Sequence, residues 1–423
     1  MKKPKLKREL GLFEVTMYGL GIIIGAGVYA LIGEGAGIAG NAIWMSFIIG
    51  AVIASFTGLS YCELSSMIPK EAAEYNYTKK AFGKRLAFIV GWSLIVANII
   101  GAAAVAMGFG GYFSHIFSTP IIPVAVILIV LLSLLNFWSL KESSHFNIVA
   151  ATLEMVGLFI IIAIGVLFFR PNVDYFYSPA GITSVLSGTA LVFFAFLGFE
   201  NLANISEETK KARKVIPKAM LLSIAITTIL YIAVAAVAVG AVGWEALSSS
   251  KAPLSLVMNQ ALGQNASLVM SIIALFSTSN TVLIMLIAVS RMIYGMASQG
   301  SLPKLLGKIH KKRHTPYKAV FLVMITASIM TLVGDIGIVA ELTTIGIFAA
   351  FIAVNASAIV LRYKLAKARR PFKMPLNIGK FPVLALLGVV TSAAMLFYFK
   401  PVIWLAELAI LMLGLLIYEW RKK

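Results

Sequence analysis

The sequence has 423 residues, 60% of them hydrophobic and only 13% charged, with a mean hydropathy of +0.93. A water-soluble chain of this length carries roughly twice that charge, so the composition specifies a polytopic membrane protein. The single cysteine, Cys62, excludes an intramolecular disulfide and a cysteine-based metal site, and the four histidines fall in or beside predicted loops without ligand spacing.

Residues 1–10 hold Lys2, Lys3, Lys5, Lys7 and Arg8, and an apolar run begins at Leu12. The charged start resembles a secretory signal. The run is long enough to cross a bilayer, however, and many spans follow, so a retained first helix is expected. Hydropathy places twelve spans, near 12–33, 41–66, 87–113, 121–139, 147–169, 184–203, 217–242, 267–297, 319–334, 339–361, 381–399 and 401–419. With the N-terminus inside, 33 of the 36 Lys and Arg residues fall on inner segments; the outer loops keep Arg170, Lys251 and Lys400. This bias predicts that both termini are cytoplasmic. It also explains the net charge of +19 as topology, with no nucleic-acid partner implied.

The first span contains Gly21-Ile22-Ile23-Ile24-Gly25-Ala26-Gly27-Val28-Tyr29. Glycine weakens a helix and admits close approach of another group. Two readings are open for it: tight helix packing through small residues, or a broken helix whose freed backbone groups face a ligand. A second interrupted run, Phe193-Phe194-Ala195-Phe196-Leu197-Gly198-Phe199-Glu200, lies five spans later. Paired interruptions at matching places in two halves point to a transporter's substrate site. Because five is odd, spans 1–5 and 6–10 enter from opposite sides, and repeats built from them are inverted. The expected organisation is a cytoplasmic N-terminus (1–10), a five-helix repeat (11–170), an inverted five-helix repeat (171–362), a cytoplasmic loop (363–380) and two accessory helices (381–423).

Further motifs follow in order. Leu59-Ser60-Tyr61-Cys62-Glu63-Leu64 precedes Ile68-Pro69-Lys70 and Glu74-Tyr75, and Glu207-Glu208 precedes Ile216-Pro217. Ser290-Arg291-Met292-Ile293-Tyr294-Gly295-Met296-Ala297 leads to Gly300-Ser301-Leu302-Pro303. Together with the two glycine runs, these resemble amino acid permeases of the amino acid–polyamine–organocation superfamily, over roughly residues 10 to 305. The resemblance implies an all-α, leucine-transporter-like 5+5 inverted repeat and a secondary transporter of amino acids, with polyamine or organic-cation carriage as the alternative.

Beside that resemblance, the residues suggest a chemistry. N–H groups of Gly25, Ala26 and Gly27 at a half-helix N-terminus suit a carboxylate. Carbonyls of Ile23, Phe194 and Leu197 are candidates for an ammonium group, within an interruption that also contains Ala195, Phe196 and Gly198. Relatives often carry Ser or Thr where Ala26 stands, so a hydroxyl role is lost here. Phe194 or Phe196 is read as pocket or gate, and Glu200 either binds substrate charge or caps freed donors.

Coupling has two candidates. Glu154, in the fifth span, stands about where several proton-coupled relatives place Lys, and an ionisable group at that depth marks function by default. Ser277, Thr278 and Ser279, next to Asn280 in the eighth span, could hold Na⁺ or simply bond to their own helix. Asn98 and Ala97 replace an acidic residue of some relatives, which weakens the case for cationic substrates. No filter loop, P-loop, HExxH or GxSxG pattern is present, so a channel, an ATP-driven pump of that class and an enzyme are not expected, and no cofactor is implied.

Overall fold

In the computed structural model, which describes residues 6, 8–167, 173–250, 252–333 and 336–420, the chain folds mainly into α-helices. In order they are α1 (Leu12–Ala39), α2 (Ile43–Met67), α3 (Ala73–Phe82), α4 (Lys84–Phe117), α5 (Ile121–Trp138), α6 (Leu140–Leu167) and α7 (Ile182–Val192). Then come α8 (Ala212–Val242), α9 (Trp244–Ser249), α10 (Pro253–Leu262), α11 (Gln264–Ser298) and α12 (Tyr317–Met330). The last three are α13 (Ile336–Lys364), α14 (Val383–Leu396) and α15 (Pro401–Trp420). A two-residue hairpin, β1 (Asn377–Ile378) with β2 (Phe381–Pro382), lies before α14.

Each of the twelve expected spans appears as a helical segment over its described residues; positions 168, 169 and 334 of these spans lie outside them. Among the described residues, ten stretches are long and apolar enough to cross a membrane, and α12 and α14 are shorter apolar helices of 14 residues each. The short helices α3, α9 and α10 were not anticipated, because elements of 6 to 10 residues fall below the hydropathy window. Gly83, at φ 98°, separates α3 from α4 with a backbone that other residues rarely adopt.

The centre belongs to α1, α4 and α11. Buried residues make up 83% of the apolar stretch of α11, against 17% for α15, which therefore runs along the lipid-facing rim.

The two ends of the bundle differ in chemistry. At one end, Trp44 donates to the Tyr175 carbonyl at 2.9 Å and Asn41 to that of Asp174 at 3.0 Å. At the other, basic end, Glu63 of α2 accepts two hydrogen bonds from Arg362 of α13, at 2.5 and 2.6 Å, and is paired with Arg370 at 3.1 Å. The segment before α1 is held there too: the N–H groups of Glu9 and Leu10 donate to the Glu208 carbonyl, and Lys210 N–H donates back to Leu10.

Candidate functional site

In α1 one residue, Gly25 (φ −16°, ψ −126°), leaves the helical conformation, so the interruption is a sharp kink and not an extended break. The glycines around it face neighbouring spans. A Cβ at Gly27 would overlap the Ala195 backbone, one at Gly25 the Thr281 hydroxyl, and one at Gly21 the side chains of Asn280 and Asn147. In this conformation the glycines therefore provide close packing, the blander of the two sequence readings. They bring α1 into backbone contact with the second interruption. The side chain of Ala26 lies outside the described set; its place in the chain follows the kink directly.

The second interruption is a true break. After α7, a 3-10 turn covers Phe193–Phe196; Leu197 is then extended (φ −63°, ψ 145°), Gly198 has φ 120°, and a 3-10 stretch covers Phe199–Ile205. Only glycine accepts that φ readily, and a Cβ there would also crowd Ile22 at 2.7 Å. Leu197 N–H donates to the Phe194 carbonyl at 3.1 Å. Gly198 N–H donates to the Glu200 carboxyl at 2.8 Å, and the Asn201 amide donates to the same carboxyl at 3.3 Å. Glu200 thus caps a donor freed by the break, one of its two anticipated roles.

Tyr231 of α8 links the two interruptions. Its hydroxyl reaches the Ile23 carbonyl and, at 3.0 Å, the Ala195 carbonyl. Of the carbonyls read as ammonium acceptors, that of Ile23 is thus engaged by a tyrosine and that of Phe194 by Leu197. Phe196 is buried edge-on against Tyr231, with ring centroids 5.3 Å apart, and Phe193 stacks on Phe348 at 4.6 Å. Ile23, Gly25, Gly27, Ala195, Phe196, Leu197 and Gly198 are all buried, while Phe194 is half-buried. The protein is therefore closed around this centre.

Glu154 of α6 is fully buried beside it. One carboxyl oxygen accepts from the Asn280 amide at 3.4 Å, and its carbonyl accepts from the Tyr29 hydroxyl at 3.0 Å. Ser277 faces the same carboxyl. Its Oγ, the second Glu154 oxygen, Asn280 Oδ1 and both polar atoms of the Asn147 amide nevertheless lack a partner with hydrogen-bond geometry among the described residues. Thr278 and Ser279 instead donate to carbonyls of their own helix, Ala274 at 2.8 Å and Phe276 at 2.9 Å. The structure thus brings Glu154, Ser277 and Asn280 together against Gly21 and turns Thr278 and Ser279 back on α11.

The remaining motifs gather at the basic end, where their charged side chains are largely buried. Arg291 of α11, with its side chain fully buried, pairs with Glu208 at 3.1 Å and donates to Asn136 of α5 at 2.6 Å. Glu71 accepts from Glu207 N–H at 3.0 Å, the Asn204 amide donates to Glu74 at 3.1 Å, and the Tyr75 and Ser301 hydroxyls lie 2.5 Å apart. Burial pushes the Glu74 carboxyl up to about 7, with the hydrogen bond from Asn204 acting against it. Burial also raises Glu71 well above the ordinary carboxylate range, reinforced by the negative Glu208 and Glu207 nearby.

Sequence reading did not single out Tyr231 or Asn136, since a lone tyrosine or asparagine in an apolar run carries no pattern. Arg291 and Glu208 were each visible within their motifs, but their pairing across 83 positions was not.

Two outcomes follow. Tyr231→Phe leaves two buried carbonyls without that donor and should lower stability by about 1–3 kcal/mol, read from unfolding of the detergent-solubilised protein. Glu74 has a folded-state pKa above its unfolded value, so its ionisation penalises the fold increasingly as pH rises from about 4.5 through about 7. Glu74→Gln, which cannot ionise, should match wild type at pH 4.5 and exceed it by on the order of 2–3 kcal/mol at pH 8. A difference that does not vary with pH would contradict this.

Comparison with known proteins gives matches along most of the chain. The amino acid permease family profile matches residues 10–415. The branched-chain amino acid permease BcaP of Bacillus subtilis (strain 168) is 32% identical over 407 residues, covering 91% of this chain and 87% of that protein. The methylthioribose transporter of the same organism is 29% identical, covering 99% and 94%. A vacuolar cationic amino acid transporter 4 of Arabidopsis thaliana is 29% identical over 85% of this chain, which spans 64% of that protein.

Proposed function

The chain belongs to the amino acid permease family, and we propose that it moves amino acids across the cell membrane as a secondary transporter working by alternating access. Amino acid transport by a multi-pass membrane protein that is not an enzyme follows from the family; the coupling, the orientation and the site are the proposal. The observation that carries it is the meeting of two interrupted helices, α1 at Gly25 and the sixth span at Leu197–Gly198, across the Gly27–Ala195 contact.

The substrate carboxylate docks on the N–H groups of Gly25, Ala26 and Gly27, where the second half of α1 presents its positive end. The ammonium takes the carbonyls of Ile23, Phe194 and Leu197, displacing the Tyr231 hydroxyl from Ile23. Phe194, Phe196, Ala195 and Leu197 then meet the side chain. These are apolar, while Glu200 is committed to Gly198, which supports a neutral, apolar amino acid over a polyamine. The Bacillus subtilis permease is named for branched-chain amino acids, which belong to that class.

Both termini face the cytoplasm, as the charge bias of the loops requires. Residues 11–170 and 171–362 are then inverted repeats, each opening with an interrupted helix. On the cytoplasmic side, Arg291 and Asn136 on one hand, and Glu208 with the segment before α1 on the other, part when the site opens inward.

Glu154 exchanges a proton as access alternates. It lies beside the first interruption through Asn280 and Gly21, with one oxygen free of partners among the described residues. Thr278 and Ser279 donate to carbonyls of α11, whereas Glu154 is the titratable carboxyl beside the first interruption, which supports a proton as the coupling ion.

Proteoliposomes with an acidic exterior test this. Wild-type protein should accumulate a branched-chain amino acid, while Glu154→Gln should lose accumulation and keep substrate exchange. Undiminished, pH-dependent accumulation by Glu154→Gln would assign Glu154 a structural role.

A further inference from the structure

A recess of about 570 Å³ opens on the basic end, apart from the central site, between the α2–α3 turn, α3, the start of α8 and the end of α11. Its polar lining consists of Lys70, Asn76, Lys79, Lys80, Arg213 and Gln299. Four of these six are cations and none is a carboxylate.

The positive-inside rule accounts for basic residues at this end, but not for four of them around one concavity. Among the described residues, none of the four is ion-paired with an acidic side chain. Lys79 is also held in place: its ammonium donates to the Gln299 side chain at 3.0 Å and lies 5.3 Å from the Tyr75 ring centroid. Asn76, at the base of α3, is fixed by hydrogen bonds to the carbonyls of Glu71 and Ala72 at 2.7 and 3.0 Å. The cations therefore repel one another across a partly rigid hollow with no internal countercharge. An anion bound there would offset that repulsion and collect several charge-assisted hydrogen bonds.

From this arrangement we infer that the recess is a binding site for a phosphate-bearing anion, either an anionic lipid headgroup or free phosphate. Position favours the headgroup. Ile68 and Pro69 line the hollow as well, and Phe82 and Leu86 stand exposed on the adjoining helices at 42% and 41%. Basic hollows between spans at the cytoplasmic surface suit such headgroups. The occupant would join α2 and α8 to α11, elements whose cytoplasmic ends also make up the Glu71–Glu208–Arg291 closure. The site does not depend on the substrate or coupling assignments above.

The test uses purified full-length protein in detergent, with thermal stability measured on adding phosphatidylglycerol, phosphatidylcholine or inorganic phosphate. Wild type should gain several degrees with phosphatidylglycerol and little with phosphatidylcholine, and the gain should shrink as salt rises. Lys79→Gln combined with Lys80→Gln and Arg213→Gln should weaken the apparent lipid affinity tenfold or more. Lys304→Gln with Lys308→Gln and Lys311→Gln, which neutralises exposed lysines elsewhere on the same end, should leave it unchanged. If the first triple variant does not fold, Lys80→Glu alone, at an exposed position, should give a smaller loss of the same sign. A gain with phosphate at millimolar concentration that equals the lipid's would assign the site to free phosphate. Equal gains from both lipids, or equal losses from both triple variants, would overturn the inference.

Discussion

A peptide N–H or C=O left unpaired in the hydrocarbon core costs on the order of several kcal/mol, so a membrane helix can break only where something else satisfies the freed groups. That constraint organises the centre of this protein. The sixth span breaks at Leu197–Gly198, and the Glu200 carboxyl takes the Gly198 N–H at 2.8 Å. The Tyr231 hydroxyl covers carbonyls on both interrupted segments, Ile23 in α1 and Ala195 beside the break. Gly27, lacking a side chain, lets the two backbones touch at Ala195. Without these substitutes for water, neither interruption would be tolerated, and no backbone groups would be available for a zwitterion to bind.

The same logic applies to charge. Arg291, Glu208, Glu71 and Glu74 are buried at the basic end, where an isolated charge would be prohibitive, and they are retained with hydrogen bonds from or to one another, Asn136, Asn204 and the Glu207 N–H. Breaking such a buried pair from one side costs about 3–5 kcal/mol, whereas separating both partners into water returns their hydration. Under the proposed alternating access, such a set is stable when buried and can be exchanged for a solvated open state. An apolar plug of the same volume offers no such exchange. In α6, Glu154 is neither sealed by an ion pair nor exposed, and it keeps an oxygen without a partner among the described residues. That unfinished bonding distinguishes it from Glu63, whose two oxygens are saturated by Arg362, Arg370 and the Met374 N–H.

The sequence made the spans legible because apolar length is a local property: each of the twelve segments carries its own signal. The two interruptions were also legible, since glycine within an apolar run is conspicuous, although their forms differ. Gly25 produces a kink and Leu197–Gly198 a break, a distinction that depends on what packs outside the helix. Long-range pairings were not legible. Glu154 meets Asn280 from 126 positions away and Glu63 meets Arg362 from 299. The motifs after the second, sixth and eighth spans mark the family, yet their charged residues are buried and paired at the basic end instead of lining the central site. α3, α9 and α10 escaped because amphipathic elements of a turn or three carry too few residues for a periodicity to register.

The central claim is that a zwitterion is held at both ends by backbone groups of the two interruptions. Competition against uptake of radiolabelled leucine tests it most directly, using leucine methyl ester, which lacks the carboxylate, and 4-methylpentanoate, which lacks the ammonium. The expected result is that unlabelled leucine competes while each truncated analogue is weaker by a hundredfold or more, since each loses a charge-assisted set of hydrogen bonds. Competition by either analogue as strong as that of leucine itself would contradict recognition at the paired interruptions.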